Sequence, residues 1–259
     1  MKTYVGIDVS KLSLSLAIPS LNAGWQVTSL ANSPEGIRSL ITLLPPGAHC
    51  VLEATGSYWV LLTYLLSQAQ ITRSVISPKQ RHYFAKMQLS ITKTDPREAV
   101  LLAEYGPMMQ PAVYQISSDR LLLLSQKRAL LKQYQKQRTA LLNWQESFSS
   151  LPVKEAATQQ SLQDTITHFE HAIQQLPEEI YQVCRLDFDE PYRRLTSIKG
   201  ISQAVATALI ETTNGVQDFH SAKALAKFIG LVPITYQSGK TGFSQGMSRA
   251  GDAHLRSLL

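Results

Sequence analysis

Cysteine is scarce in this chain: Cys50 and Cys184 are the only two among 259 residues. They form neither a disulfide framework nor a zinc-ligand spacing. A disulfide-stapled secreted fold and a zinc module are therefore excluded, and a reducing cytoplasm is the expected setting. No signal peptide is visible and no apolar run is long enough to span a membrane, so no membrane partner is expected. Charged residues make up only 17% against 44% hydrophobic, which excludes a disordered chain. A phosphate-binding P-loop is also missing. Ser238-Gly239-Lys240-Thr241-Gly242 has its tail, but the place of the first glycine is taken by Ile234. His82, His168 and His220 show no ligand spacing and read as surface or partly buried residues.

What is present is a positive balance, a formal net charge of +6, which favours a polyanionic partner without identifying one. Residues 2–9 read as a strand, and Leu12, Leu14, Leu16 and Ile18 alternate with small residues as a second. Trp25 to Ala31 is a third. Asn32-Ser33-Pro34-Glu35 opens a helix that stops at Pro45-Pro46. His49 to Glu53 is a strand, Tyr58 to Gln68 a helix, and Ile71 to Ile76 a strand ended by Pro78. Successive strands followed by alternating helix and strand predict a mixed α/β sheet, closing near Tyr105-Gly106-Pro107 and assigned to residues 1–112.

The middle, 113–190, is all-α. Helix-spaced apolar residues run from Leu121 to Phe148, Ser149-Ser150-Leu151-Pro152 breaks them, and a second run carries Ile166 to Val183. This predicts a long antiparallel hairpin with segregated charge. Residues 119–154 hold seven basic and two acidic groups, and residues 155–184 hold five acidic and no basic groups. Either the arms attract each other or the basic arm carries nucleic acid. Residues 191–259 form a third, mostly helical unit. Ile198-Lys199-Gly200-Ile201-Ser202 before a helix has the pattern of a helix-hairpin-helix turn, whose backbone N–H groups around Gly200 can bind a nucleic-acid phosphate. Gly230 ends a further helix, and Tyr236 to Gly251 reads as a glycine-rich loop.

Candidate chemistry centres on four acids. Asp8 follows the apolar strand Tyr4-Val5-Gly6-Ile7, and Glu53 follows Cys50-Val51-Leu52. A carboxylate at the end of a buried strand costs free energy unless a cation meets it. Asp95 and Glu98, three apart, share one helix face. Asp95-Pro96-Arg97-Glu98 also has an ordinary explanation as a helix opening, with Asp95 as the cap and Glu98 reaching back; from these residues alone the cap is favoured. Converging, the four acids fit a divalent metal site for phosphoryl transfer. Ser238 reads first as a turn serine, made more interesting by Lys240, Arg249 and Arg256 as cations for a nearby phosphate.

Val5-Gly6-Ile7-Asp8-Val9-Ser10-Lys11, Glu53-Ala54-Thr55-Gly56, Lys93-Thr94-Asp95 and the tail Gly230-Leu231-Val232-Pro233, Ser238-Gly239, Gly251 and Leu255-Arg256 together resemble the insertion-sequence-110 transposases. These are the DEDD transposases, relatives of the pilin-gene invertase. The resemblance implies an RNase H-like (RuvC-like) domain, a coiled-coil hairpin used in assembly and a C-terminal transposase domain. It implies Mg2+ held by Asp8, Glu53, Asp95 and Glu98, and a covalent DNA linkage at Ser238. It also implies donor and target DNA, a structured bridge RNA as guide, and a homodimer or homotetramer whose active site is shared between subunits. This sequence departs from the family pattern at Glu98, where aspartate is usual, and at the turn around Gly200, which lacks the usual proline and second glycine. Members usually continue through further helices beyond Leu255-Arg256. Other readings remain open here: a junction nuclease using activated water, a non-catalytic nucleic-acid-binding remnant, and, ranked last, an actin-like kinase, which lacks its downstream Asp-x-Gly loop.

Overall fold

The computed structural model describes residues 2–20, 24–89, 94–216, 219, 221–238, 241–248, 251 and 253–259. The chain divides into two compact units, Met1–Ile116 and Ser117–Leu259.

In the first unit, β1 (Thr3–Val9), β2 (Ser13–Ser20) and β3 (Gly24–Ala31) form an antiparallel meander. Helix α1 (Pro34–Leu43) leads to β4 (Ala48–Glu53), and α2 (Trp59–Gln68) leads to β5 (Thr72–Ile76). β4 pairs parallel with β1, and β5 parallel with β4. The sheet order is β3-β2-β1-β4-β5, which is the mixed sheet read from the sequence and the strand order of an RNase H-like fold. Helix α1 starts where Ser33 and Pro34 signal it: the Ser33 hydroxyl accepts the Gly36 N–H at 3.2 Å. Val5, Ile7, Leu14, Leu16, Ile37, Leu40, Leu52, Leu62 and Leu66 are fully buried in one cluster. Each contributes about 1.5–3 kcal/mol of burial. β4 is buried at every position, as expected of a parallel strand covered on both faces.

Two more helices complete this unit, α3 (Pro78–Met87) and α4 (Asp95–Met109). α4 lies directly on β1, and the approach depends on Gly6. A Cβ there would sit 1.9 Å from the Ala99 carbonyl oxygen and 2.5 Å from the Ala103 nitrogen. At the other end of the helix, a Cβ on Gly106 would meet the Tyr4 ring at 2.2 Å. Because Leu102, Ala103, Tyr105 and Gly106 are buried, α4 continues through Pro107 to Met109. The helix therefore spans Tyr105-Gly106-Pro107, the stretch where the sequence suggested that this domain closes. The segment beyond is tied back to the sheet: Tyr114 donates its N–H to the Arg73 carbonyl at 2.8 Å, and the Ser74 hydroxyl lies 2.8 Å from the Ala112 carbonyl.

In the second unit, α5 (Asp119–Ser149) and α6 (Ala156–Asp187) form the expected hairpin. The pairs Lys127–Glu179, Arg138–Glu170 and Gln145–Gln163 run in opposite numerical order along the two helices, which makes them antiparallel. The opposite charges of the arms therefore meet each other, at 2.8 Å for Arg138–Glu170. Next come α7 (Asp189–Thr196), α8 (Gln203–Thr212) and α9 (Ala222–Ile229). Leu121, Leu124, Ile180 and Cys184 share a cluster with Tyr192, Ala206 and Ile210. The hairpin base and the helices that follow thus have a common core rather than separate ones. Residues read as a glycine-rich loop instead form an antiparallel hairpin of β6 (Pro233–Ser238) and β7 (Thr241–Met247); alternation there is obscured by Gly and Ser. α10 (Ala253–Leu258) follows. Cys50 and Cys184 are free and buried, and burial pushes both thiols up to about 12. Among the described residues, no helix is long and apolar enough to cross a membrane.

Candidate active site

The acids of the first unit are brought together by the sheet and by α4. Asp8 lies in β1, paired in register with Ser15, two residues beyond the Gly6 contact with α4. Glu53 is the last residue of β4 and is 7% exposed. Asp95 and Glu98 lie in the first turn of α4, just before Ala99, which presses on Gly6. The convergence shows in the Asp8 carboxyl, which is pushed up to about 6. Burial contributes most, followed by the negative charges of Glu98, Asp95 and Glu53, with Arg81 opposing them.

Capping does not account for Asp95 and Glu98. Thr94 occupies the cap position with extended backbone and makes no side-chain cap bond, while Asp95 is the first helical residue. The Glu98 carboxylate is directed instead at Arg81, whose Nη1 donates to Glu98 Oε1 at 3.1 Å. The same guanidinium donates from Nε to Glu53 Oε2 at 2.7 Å. The other Glu53 oxygen accepts the Thr55 hydroxyl at 3.1 Å.

Arg81 is the site residue that sequence reasoning missed, along with the helix that bears it. The signal was available in Ser77-Pro78-Lys79-Gln80, a capping box with proline in the first turn. In the structure both halves of the box form: the Ser77 hydroxyl accepts the Gln80 N–H at 3.2 Å, and Gln80 Oε1 accepts the Ser77 N–H at 2.8 Å. Reading Pro78 only as the end of a strand hid this helix. Phe84, on the buried side of α3, packs edge-on against Tyr105 of α4 with ring centroids 5.0 Å apart, which fixes Arg81 over the acids.

The donor set fits a hard divalent ion: carboxylates only, whose charges add to burial in pushing the Asp8 carboxyl up to about 6. Among the described residues, no three His, Cys, Asp or Glu side chains stand around one point as metal ligands. Between Glu53 and Glu98 that point is taken by the Arg81 fork.

The second unit places the remaining candidates differently. Ser238 is the last residue of β6, paired with Thr241 across the hairpin end. Lys240 and Arg249 lie outside the described residues. Arg256 donates to the Ile229 carbonyl at 2.9 Å, joining α10 to the end of α9. Gly230 closes α9 in the left-handed region, and a Cβ on Gly251 would lie 2.2 Å from the Phe228 carbonyl oxygen. These motif glycines therefore have structural duties. Gly200 has φ +97° and open space around it, in the turn between α7 and α8. Ser202, standing where a second glycine is usual, caps α8 through the Val205 N–H at 3.3 Å.

An RNase H-like sheet carrying an acidic cluster from β1, β4 and α4 defines the class of the first unit. Residues 5–148 match the DEDD transposase family of the IS110 group, and residues 192–259 match the transposase IS116/IS110/IS902 family. The chain belongs to this transposase family. It is 30% identical, over its whole length and 81% of the relative's, to the pilin gene-inverting protein of Moraxella bovis. It is 32% identical, over 35% of its length and 24% of the relative's, to the transposase for insertion sequence element IS1111A of Coxiella burnetii. Thermus thermophilus RuvC in complex with a Holliday junction substrate is similar over 44% of this chain and all of RuvC, at 13% identity and a TM-score of 0.33. Strand order, not this likeness, defines the fold.

Proposed function

We propose that the chain cuts and joins DNA strands as a recombinase of its own insertion sequence, with Ser238 as nucleophile and Asp8, Glu53, Asp95 and Glu98 as the ligands of Mg2+. The observation that carries the reading is the meeting of acids from β1, β4 and α4, whose charges add to burial in raising Asp8 to about 6. Four acids facing a single arginine leave negative charge that a further cation would offset. A divalent ion bound there supplies charge neutralisation and Lewis-acid activation. The Ser238 Oγ attacks a DNA phosphodiester: the Oγ–P bond forms, the P–O3′ bond breaks, Oγ loses its proton and the departing 3′ oxygen gains one. The reading also takes in donor and target DNA in the cytoplasm, a structured guide RNA, and a homodimer or homotetramer in which acids and serine meet across subunits. Gly200, Lys240, Arg249 and Arg256 are proposed nucleic-acid contacts, of which Arg256 has the weakest support because its guanidinium holds Ile229. The support for these finer points is the motif resemblance and family membership.

The test is an assay for a covalent protein–DNA adduct. Mg2+-dependent adduct formation is expected in the native chain and absent in Ser238→Ala and Asp8→Asn. Strand cleavage that survives Ser238→Ala but not Asp8→Asn would replace this reading with a nuclease that uses activated water.

A further inference from the structure

We propose that Arg81 is a built-in cation that competes with the divalent ion. A metal reaches Glu53 and Glu98 only by displacing the guanidinium, and Arg81 therefore sets the ion concentration at which the site loads. The inference rests on the four acids being a divalent-ion site.

The geometry is that of a filled site. Arg81 spans two carboxylates that come from β4 and α4, at 2.7 Å to Glu53 Oε2 and 3.1 Å to Glu98 Oε1. All three side chains are largely withdrawn from solvent, at 18%, 9% and 14% exposed. The Thr55 hydroxyl occupies the remaining Glu53 oxygen, so both Glu53 oxygens already accept donors. The planar guanidinium gives one N–H to each carboxylate and offsets one of their two charges. A hard ion needs the same lone pairs, so the two cations exclude each other at Glu53 and Glu98. Arg81 does not drift there by chance. The capping box of α3 and the Phe84–Tyr105 contact hold its helix in place.

The consequence is a coupling. Any anion that draws the guanidinium away tightens ion binding by the same free energy, and a phosphate of a bound strand has that chemistry. Arg81 is on this account a competing cation that makes metal loading depend on substrate.

The experiment is a Mn2+ titration of the full chain without DNA, read by the loss of free-ion paramagnetic resonance, together with thermal melts in chelator. Arg81→Gln is expected to bind Mn2+ at least about tenfold more tightly than the native chain. It is also expected to melt lower in chelator and to gain more from added Mn2+. Arg81→Lys keeps the charge but loses the fork, and guards against a glutamine variant that fails to fold; it is expected to bind several-fold more tightly. Equal or weaker binding in a folded Arg81 variant would overturn the proposal, because Arg81 would then be a prop for the ligands. Absence of Mn2+ binding in the native chain and in both variants would instead remove the four-acid reading on which the proposal rests.

Discussion

Arginine–glutamate pairs occur in both units, and they do different things. In the first unit Arg81 holds Glu53 and Glu98, with side chains 18%, 9% and 14% exposed, inside a cluster that also contains Asp8 and Asp95. In the second unit Arg138 and Glu170 pair across the hairpin with side chains 39% and 40% exposed. The exposed pair joins one positive and one negative arm, and water screens it. The withdrawn pair leaves carboxylate charge over, which adds to burial in keeping Asp8 raised. Charge balance thus separates a structural ion pair from a site: Arg138 and Glu170 match one to one, while the acids around Arg81 outnumber their cation.

This contrast predicts a ranking of effects. The largest is on chemistry. Asp8→Asn or Glu53→Gln should lower Mg2+-dependent strand cutting by roughly 10³-fold with an intact fold, as for loss of a group that stabilises transition-state charge. Arg138→Ala should leave the rate per folded molecule unchanged. A comparable loss from Arg138→Ala would erase the distinction between the two regions.

Next come two glycines. Gly6→Ala drives a methyl into the α4 backbone at 1.9 Å and should cost about 3 kcal/mol, read as a lowered denaturant midpoint. Gly200→Ala meets nothing within 4 Å and carries only the strain of φ +97°, worth about 1 kcal/mol. Equal costs would mean that α4 does not need its close seat on β1.

The third effect is a gain. The Asp8 carboxyl rises from 3.8 to about 6 on folding, mainly through burial and then through Glu98, Asp95 and Glu53. Folding therefore takes up a proton between these values. The Asp8 contribution to stability is full below about pH 4 and is lost as pH rises through about 6. In chelator at pH 7.5, Asp8→Asn should be more stable than the native chain by on the order of 1–2 kcal/mol, after solvent screening of a half-buried group. The difference should vanish near pH 4. Stabilisation that persists there would point to packing instead of charge.

The smallest effect is that of Arg138→Ala on stability, below about 1 kcal/mol and shrinking with added salt.

How much of this was legible in the sequence follows from where pattern and packing agree. The sheet was readable because β2 alternates and β4 is a continuous apolar run. Asp8 and Glu53 stood out because each follows such a strand. The hairpin was readable from helix-spaced apolar residues and the Ser149–Pro152 break. Arg81 was hidden because Pro78 has two meanings, strand stop and first helical turn, and only the Ser77/Gln80 pairing decides between them. Asp95 as a cap was a fair local reading that tertiary structure displaced, since Glu98 faces a cation from another helix. α4 ran past Pro107 because burial of Leu102, Ala103 and Tyr105 outweighs the missing N–H.

The central claim is that the four carboxylates are a divalent-cation site held in reserve by Arg81. Anomalous scattering from crystals of the full chain soaked in Mn2+ tests it most directly. The account predicts a manganese peak among Asp8, Glu53, Asp95 and Glu98, with Arg81 turned away from Glu53 and Glu98. No peak there at saturating Mn2+, with Arg81 still bridging both glutamates, would contradict it.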